Sequence, residues 1–372
     1  MPRLTDAGRS GIIRPRAQEP EETNLDTQPD LADYCVEQLK ALVGIPSPAG
    51  HTEAAVRHLE TELNAMDLEH ERTTRGALIA SIPGREAGPH RTLTGHVDTL
   101  AAMVKEIDKN GTLRLTQIGG YALQTVEGEY CTVETASGGN LRGTILYEKP
   151  SAHVSKDIAT GKREAENMII RLDAQVRDPA GVQALGIAVG DYIHFDPRFE
   201  LTQTGFIKSR HLDDKAGVAC LLSAAKALVE SHGKPRRTTH LYFSTSEEIG
   251  FGASAGIPDS TGQLIAVDMG AVGKGQESDE YSVCICAKDS TGPFDFRLRQ
   301  HLVDLCKAND IPYKVDIYPF YGSDASVAVR AGYDVLTGLI GPGIDASHNL
   351  ERTHRTSLAA TTRLITAYLE IA

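Results

Sequence analysis

The sequence predicts an α/β protein in which one α/β domain is interrupted by a small β-rich domain. Helical and strand patterns alternate near the start of the chain and again in its second half, which is typical of layered α/β folds. Between them, short alternating runs are separated by Asn-Gly, Gly-Gly and Gly-Asp, and these pairs indicate hairpins. We therefore expect residues 31–103 and 204–372 to form one domain, with residues 104–203 as an insertion.

The first part of the α/β domain combines two helical patterns with two strand patterns. Apolar residues recur at helical spacing in ADYCVEQLKALVGI, and this helix should end before Pro46 and Pro48 because proline breaks a helix. The patterns that follow predict a helix in HTEAAVRHLETELNAM and strands in GALIASIPG and RTLTGHVDT.

The second part returns to the same alternation after the insertion. A helix is predicted in AGVACLLSAAKALVES and strands in TTHLYFSTS and GQLIAVDMG. A helix in FRLRQHLVDLCKAN, a strand in YDVLTGLIG and a last helix in LAATTRLITAYLE complete the domain. This return favours a single domain with an insertion over two domains in tandem.

Composition and charge exclude several classes of protein. The 38 Lys and Arg residues face 50 Asp and Glu residues, a net charge of -12, which argues against a nucleic-acid partner. No apolar run approaches the ~18 residues of a membrane span, so we expect no membrane partner.

The six cysteines form no CxxC pair, and residues 1–30 are polar and without periodicity. We interpret the chain as cytoplasmic, with a flexible tail over residues 1–30 and no targeting peptide.

Side chains that can bind metals cluster where predicted strands end. The carboxyl ends of strands in an open α/β sheet form one crevice, so residues far apart in sequence converge there. An acidic pair also lies directly before the helix AGVACLL. The candidates are His96, Asp98, Asp213, Asp214, Glu247, Glu248, Asp268 and His348.

These residue types suit hydrolysis at a pair of divalent metals. Two imidazoles and several carboxylates, without a thiolate, are ligands that borderline metals use in hydrolytic sites. A metal pair needs a bridging carboxylate and activates a water between the ions. The adjacent Glu247 and Glu248 could supply one ligand and one free general base. Asp98 could accept the second ring N–H of His96 and fix its tautomer.

The motifs TGHVDT, HLDDKAG, STSEEIG, VDMG and GSDAS, in this order, resemble those of two-metal aminopeptidases and related amidohydrolases. His96 and Asp213 are 117 positions apart, whereas Asp268 and His348 are 80 apart, so the insertion precedes the acidic pair. In the carboxypeptidase and deacylase branch the extra domain comes later. The chain therefore resembles the glutamyl and tetrahedral aminopeptidases of metallopeptidase family forty-two, over about residue 31 to the C-terminus.

The resemblance implies a three-layer α/β/α metallopeptidase domain of the phosphorylase/hydrolase-like type. It also implies a β-barrel-like insertion that serves as a lid or dimerisation domain. The protein would be a homo-oligomer, from a dimer to a dodecamer, acting on small peptides. Two ions, zinc or else cobalt or manganese, would bind. Asp324 would line the substrate cleft.

The family pattern also assigns a role to each site residue. One ion would be held by His96, Asp213 and Asp268, and the other by Asp213, Glu248 and His348. The catalytic residues would be Glu247, as general base, and Asp98, as the partner that supports the ligand His96. The motif SHNLERTH leaves His354 as an alternative to His348 for the last ligand.

Four functions follow from these observations. The first is a two-metal aminopeptidase, and the second is a metal-dependent amidohydrolase or deacylase of N-acyl amino acids or dipeptides. A narrower resemblance to the subgroup associated with the osmolyte N-acetylglutaminylglutamine amide would favour a small dipeptide substrate. A glycosidase is disfavoured, because its carboxyls must lie on opposite sides of the scissile bond, ~5–9.5 Å apart. A binding protein with an inactive site is disfavoured too, because every expected ligand type is present.

Overall fold

The computed structural model describes residues 29–370. The predicted tail at residues 1–30 therefore lies almost entirely outside the described residues, and the first helix begins at Pro29. The helices are α1 (Pro29–Val43), α2 (Glu53–Ala65), α3 (Pro179–Ala184), α4 (Leu212–Glu230), α5 (Phe296–Ala308), α6 (Asp324–Arg330) and α7 (Arg355–Leu369).

The strands divide between one large sheet and one closed barrel. In chain order they are β1 (His70–Arg72), β2 (Leu78–Ile82), β3 (His90–His96), β4 (Ala101–Ile107), β5 (Leu113–Ile118), β6 (Tyr130–Glu134), β7 (Asn140–Tyr147), β8 (Met168–Leu172), β9 (Tyr192–Phe195), β10 (Glu200–Leu201), β11 (Phe206–Ser209), β12 (Thr239–Ser244), β13 (Thr261–Val267), β14 (Gly270–Val272), β15 (Val283–Lys288), β16 (Tyr313–Ile317), β17 (Leu336–Asp345) and β18 (Glu351–His354).

The large sheet has parallel strands at its centre. Its main order is β1-β2-β12-β3-β13-β17-β18-β11-β10, and β14 and β15 also pair with β17, while β16 pairs with β15. The neighbours β12-β3-β13-β17 run parallel, so their carboxyl ends share one edge. Parallel strands require crossover connections, and helices supply several of these connections.

Helices cover both faces of this sheet and give it three layers. Strand β12 shows why, since Leu241 and Phe243 pack into one core while Tyr242 packs into another. The first core contains residues of α1, α2, α4, α5 and α7, and the second contains Ala325 and Ala328 of α6. Alternation along a strand sends successive side chains to opposite faces. The predicted three-layer α/β/α arrangement is confirmed.

The inserted segment forms a closed six-stranded barrel in the order β4-β5-β8-β7-β6-β9. It has its own hydrophobic core, in which Leu115, Val133, Ile145 and Ile193 are completely buried. The predicted barrel-like insertion is therefore present. The short helix α3 is not among the predicted helices, and it begins where Asp178 accepts a hydrogen bond from the amide of Gly181 at 2.8 Å.

The sheet brings the candidate residues to its carboxyl edge. Asp98 follows β3, Glu247 and Glu248 follow β12, Asp268 follows β13, and His348 follows β17. Within residues 29–370, no helix combines the length and the apolar character that a bilayer span requires.

Candidate metal centre

One buried carboxylate, that of Asp213, lies between two histidines. Its Oδ1 is 3.1 Å from His96 Nε2, and its Oδ2 is 3.4 Å from His348 Nε2. Asp213 opens α4, where its backbone and that of Asp214 depart from helical geometry. Because each oxygen faces a different imidazole, the arrangement fits a carboxylate that bridges two cations.

The His96 side of the centre is almost completely buried. Ligand atoms of His96, Asp213 and Asp268 all lie within 4.8 Å of one another. His96 Nδ1 is 3.0 Å from the backbone oxygen of Asp98. Since a carbonyl oxygen only accepts, Nδ1 carries the proton and Nε2 is the nitrogen available to a metal. These three residues could hold one ion.

The position of Asp98 corrects the predicted contact with His96. Its carboxylate Oδ1 is 3.6 Å from His96 Nδ1, which is beyond hydrogen-bond distance. The backbone oxygen of Asp98, and not its side chain, therefore accepts the hydrogen bond from His96 Nδ1. The carboxylate instead accepts the amide N–H groups of Glu247 at 3.0 Å and Glu248 at 3.1 Å. Asp98 therefore fixes the loop that carries both glutamates.

The two glutamates face different histidines. Glu247 Oε2 is 3.9 Å from His96 Nε2, whereas Glu248 Oε2 is 3.7 Å from His348 Nε2. The side chain of Glu247 is 15% exposed and that of Glu248 only 4%. Glu248, with Asp213 and His348, could hold a second ion, while Glu247 remains more accessible to water.

Burial and mutual repulsion make the acidic groups resist ionisation. Desolvation, followed by repulsion from Asp213, raises the pKa of Asp268 to about 7, and desolvation holds the pKa values of Glu247 and Glu248 well above their ordinary range. Burial would raise the pKa of Asp213 too, but hydrogen bonds with His348 and His96 lower it.

The donor set fits divalent cations. Among residues 29–370, the partners within ion-pair distance of these carboxylates are His96 and His348, without a Lys or Arg. Several buried carboxylates without a permanent cation are costly unless metal ions compensate their charge. The residues present therefore fit a pair of divalent metals.

Glu351 also belongs to the centre, although the sequence did not identify it as a site residue. It is 2% exposed, and its Oε2 accepts the Asp213 amide at 3.1 Å while Oε1 accepts the His348 amide at 3.0 Å. One carboxylate thus fixes the backbone of both residues. Desolvation, together with repulsion from Asp213, raises the pKa of Glu351 to about 8. An acidic residue near His348 was the only available signal.

His354 lies away from the centre. It belongs to β18, and its Nε2 is 2.8 Å from the Thr204 backbone oxygen while its Nδ1 is 2.9 Å from Thr356 Oγ1. Pairing of β18 with β11 holds it there. The alternative assignment of His354 as last ligand is therefore wrong, and His348 occupies the position next to Asp213.

Asp324 lies behind the loop that carries the glutamates. It is 2% exposed, and its Oδ1 accepts the Ala253 amide at 2.9 Å. A Cβ on Gly252 would come within 1.7 Å of the same oxygen, which shows how closely the loop packs on it. This placement favours a role in holding the loop over the predicted contact with substrate.

The chain has close similarities to aminopeptidases of known families. The model of the M42 glutamyl aminopeptidase family matches residues 76–364. The protein YhfE of Bacillus subtilis (strain 168), named provisionally as an aminopeptidase, is 51% identical over 335 residues, covering 90% of this chain and 97% of the relative.

Solved structures share the fold at lower identity. The aminopeptidase APDkam598 from Desulfurococcus kamchatkensis superposes with a TM-score of 0.83 at 22% identity, over 91% of this chain and 95% of that one. The TET1 peptidase of Pyrococcus horikoshii, which can assemble into a tetrahedron or a large octahedral shell, gives 0.79 at 22%, over 90% and 98% of the two chains.

Proposed function

The chain belongs to the M42 glutamyl aminopeptidase family of hydrolases, and from this premise we propose that it is a two-metal aminopeptidase that removes the N-terminal residue of small peptides. The observation that carries the proposal is the position of Asp213, whose two oxygens face His96 at 3.1 Å and His348 at 3.4 Å. A structural carboxylate would need no such symmetric pair of imidazoles.

In this proposal, the first ion would be held by His96, Asp213 and Asp268, and the second by Asp213, Glu248 and His348. When bound, two divalent ions would lower the pKa of an attacking water and stabilise the charge that develops on the scissile carbonyl. We expect zinc, with cobalt or manganese as functional substitutes.

Glu247 is the proposed general base. It lies beside His96 and its side chain is more exposed than that of Glu248, so it can reach a water without leaving the loop. It would accept the proton of the attacking water and return it to the leaving amine. Asp98 supports this role by holding the Glu247 amide. The acidic surroundings would attract the protonated α-amine of the substrate.

Hydrolysis of matched substrates tests the proposal. The panel contains free-amine dipeptides and their N-acetylated counterparts, assayed with added zinc or cobalt and then with chelator. We expect cleavage of the free-amine peptides alone, abolished by chelator. Cleavage of the acetylated compounds alone would replace the proposal by the amidohydrolase alternative. A blocked glutaminylglutamine amide in the same panel tests the predicted osmolyte link.

We further propose a homo-oligomer. Support comes from the TET1 peptidase, a structural relative that forms closed shells, and the inserted barrel would provide a contact surface. Light scattering coupled to size-exclusion chromatography of the full chain measures the mass. A monomer at micromolar concentration would contradict this part of the proposal.

A further inference from the structure

A turn of the inserted barrel contacts His348, the most exposed residue of the centre. This turn, at Gly119 and Gly120, follows strand β5. The backbone oxygen of Gly120 forms a hydrogen bond with His348 Nδ1. We propose that the barrel is a working part of the metal centre, because this turn positions His348 and so sets the affinity for the second ion. The inference rests on the two-metal function proposed above.

The contact determines which nitrogen of His348 faces the site. Since a carbonyl oxygen only accepts, Nδ1 donates, and the lone pair of Nε2 points towards Asp213 Oδ2 at 3.4 Å and Glu248 Oε2 at 3.7 Å. The same kind of hydrogen bond orients metal-binding histidines in general, and its loss typically costs 10–100-fold in metal affinity.

His348 needs this support more than His96 does. The side chain of His348 is 38% exposed, whereas that of His96 is 2% exposed. The Nδ1 of His96 donates a hydrogen bond to the backbone oxygen of Asp98, which is only two residues away and belongs to the α/β domain. The equivalent partner of His348 is 228 positions distant, in the barrel. The barrel should therefore affect the second ion and leave the first one unchanged.

The turn itself is built for a close approach. Gly119 has φ +77°, and an added Cβ would lie 2.5 Å from Leu100 Cδ2 and 3.4 Å from the Glu248 backbone oxygen. A side chain at this position must displace either the turn or its neighbours. At Gly138, in the hairpin between β6 and β7, φ is +83° and an added Cβ would have no atom within 4 Å. Gly119 and Gly138 therefore provide a disruptive variant and a matched control. Because the added Cβ at Gly119 would also approach Glu248, a second variant that does not contact a ligand is needed.

Two side chains close the turn from within the barrel. Gln117 Nε2 donates to the Tyr121 backbone oxygen at 2.6 Å, and the Tyr121 hydroxyl donates to the Ala101 backbone oxygen at 3.0 Å. None of these groups contacts a residue of the metal centre in the hydrogen bonds of the described chain. Gln117→Met, which keeps the length of the side chain but removes its amide, thus loosens the turn without altering a ligand.

The test measures stepwise zinc affinity by competition with a chelator, starting from metal-free full-length protein. For Gly119→Ala we expect one of the two sites to lose 10–100-fold in affinity, while the other changes by less than about threefold. His348→Ala, which removes the ligand itself, should weaken the same site and so identify it. Gly138→Ala should match the wild type. Gln117→Met should weaken the same site as Gly119→Ala, and it provides the answer if Gly119→Ala fails to fold.

Cobalt absorption spectra distinguish a loss of His348 positioning from a general loss of protein stability. At a cobalt concentration that fills both sites of the wild type, the visible absorption of Gly119→Ala should lack the component of the second ion and keep that of the first. Unchanged affinity at both sites, or equal weakening of both, would overturn the inference. A wild-type protein that binds only one ion would instead refute the two-metal function. The number of ions bound by the wild type is therefore measured before the variants.

Discussion

Asp98→Asn tests how the loop carrying the two glutamates is held. The Asp98 carboxylate is completely buried and accepts two backbone N–H groups, from Glu247 at 3.0 Å and Glu248 at 3.1 Å. Asparagine has nearly the same shape but offers only one accepting oxygen. Its NH₂ group would face the other N–H, so one buried donor loses its partner.

The structure gives the size of the expected effect. A hydrogen bond to a charged acceptor contributes about 1.5–3 kcal/mol, and a buried donor left unpaired costs about 1–3 kcal/mol. Taking about 2–3 kcal/mol as the net penalty on the productive loop, kcat should fall by about 30- to 150-fold, because 1.36 kcal/mol corresponds to a factor of ten.

Steady-state kinetics at verified metal content measures this loss. Asp324→Asn is the matched control, since Asp324 holds the same loop through a single backbone N–H, that of Ala253 at 2.9 Å. One oxygen suffices for that contact, and we expect less than about a tenfold loss in kcat. If Asp98→Asn kept kcat within about threefold of wild type at full metal occupancy, the support that we assign to Asp98 would be refuted.

Three further predictions concern the general base, the backbone of the ligands and a buried histidine of the barrel. Glu247→Gln should keep both ions and lose about 10²–10⁴-fold in kcat, whereas Asp213→Asn should lose metal as well; plasma emission on both variants decides, and full activity of the first would exclude Glu247 as the base. Glu351→Ala should weaken metal binding about 10–100-fold, because the Asp213 and His348 amides lose their acceptor. Glu351→Gln keeps one accepting oxygen and should weaken metal binding less. Competition with a chelator measures the metal affinity of both variants, and equal affinities would contradict the role of Glu351 as an acceptor for both amides. In barrel strand β9, burial lowers the pKa of His194 below its ordinary 6.5, although Glu134 lies 2.7 Å away. Below about pH 6.5 the unfolded chain therefore binds more protons than the folded protein, so the stability should decrease as the pH decreases. Melting temperatures at pH 7.5 and 5.5 should differ less for His194→Gln than for wild type, and an equal difference would contradict this prediction.

The outline of the fold could be predicted from the sequence because its signals are local. Alternation in TTHLYFSTS and GQLIAVDMG predicted strands. The pairs Asn110-Gly111 and Gly138-Gly139 predicted two hairpins of the insertion, whereas Gly190-Asp191 joins α3 to β9 and forms no hairpin. These patterns depend on neighbours a few residues apart. Because strand ends converge at one edge of an open α/β sheet, the sequence also predicted that His96, Glu247 and Asp268 lie close together.

The remaining parts of the site depend on contacts that leave no periodic trace. Whether the ring of His96 forms a hydrogen bond with the side chain or with the backbone oxygen of Asp98 depends on side-chain rotamers within a buried loop. The contact between Gly120 and His348 depends on how the barrel docks against the sheet. Spacing alone also left His354 open, and only the pairing of β18 with β11 places it elsewhere.

The most direct test of the account is anomalous diffraction at the zinc edge from crystals of the zinc-loaded protein. The account predicts two peaks about 3.5–4 Å apart, one on each side of the Asp213 carboxylate, with His96 beside one peak and His348 beside the other. A single peak at full occupancy, or two peaks that do not share Asp213, would contradict the bridged two-metal centre.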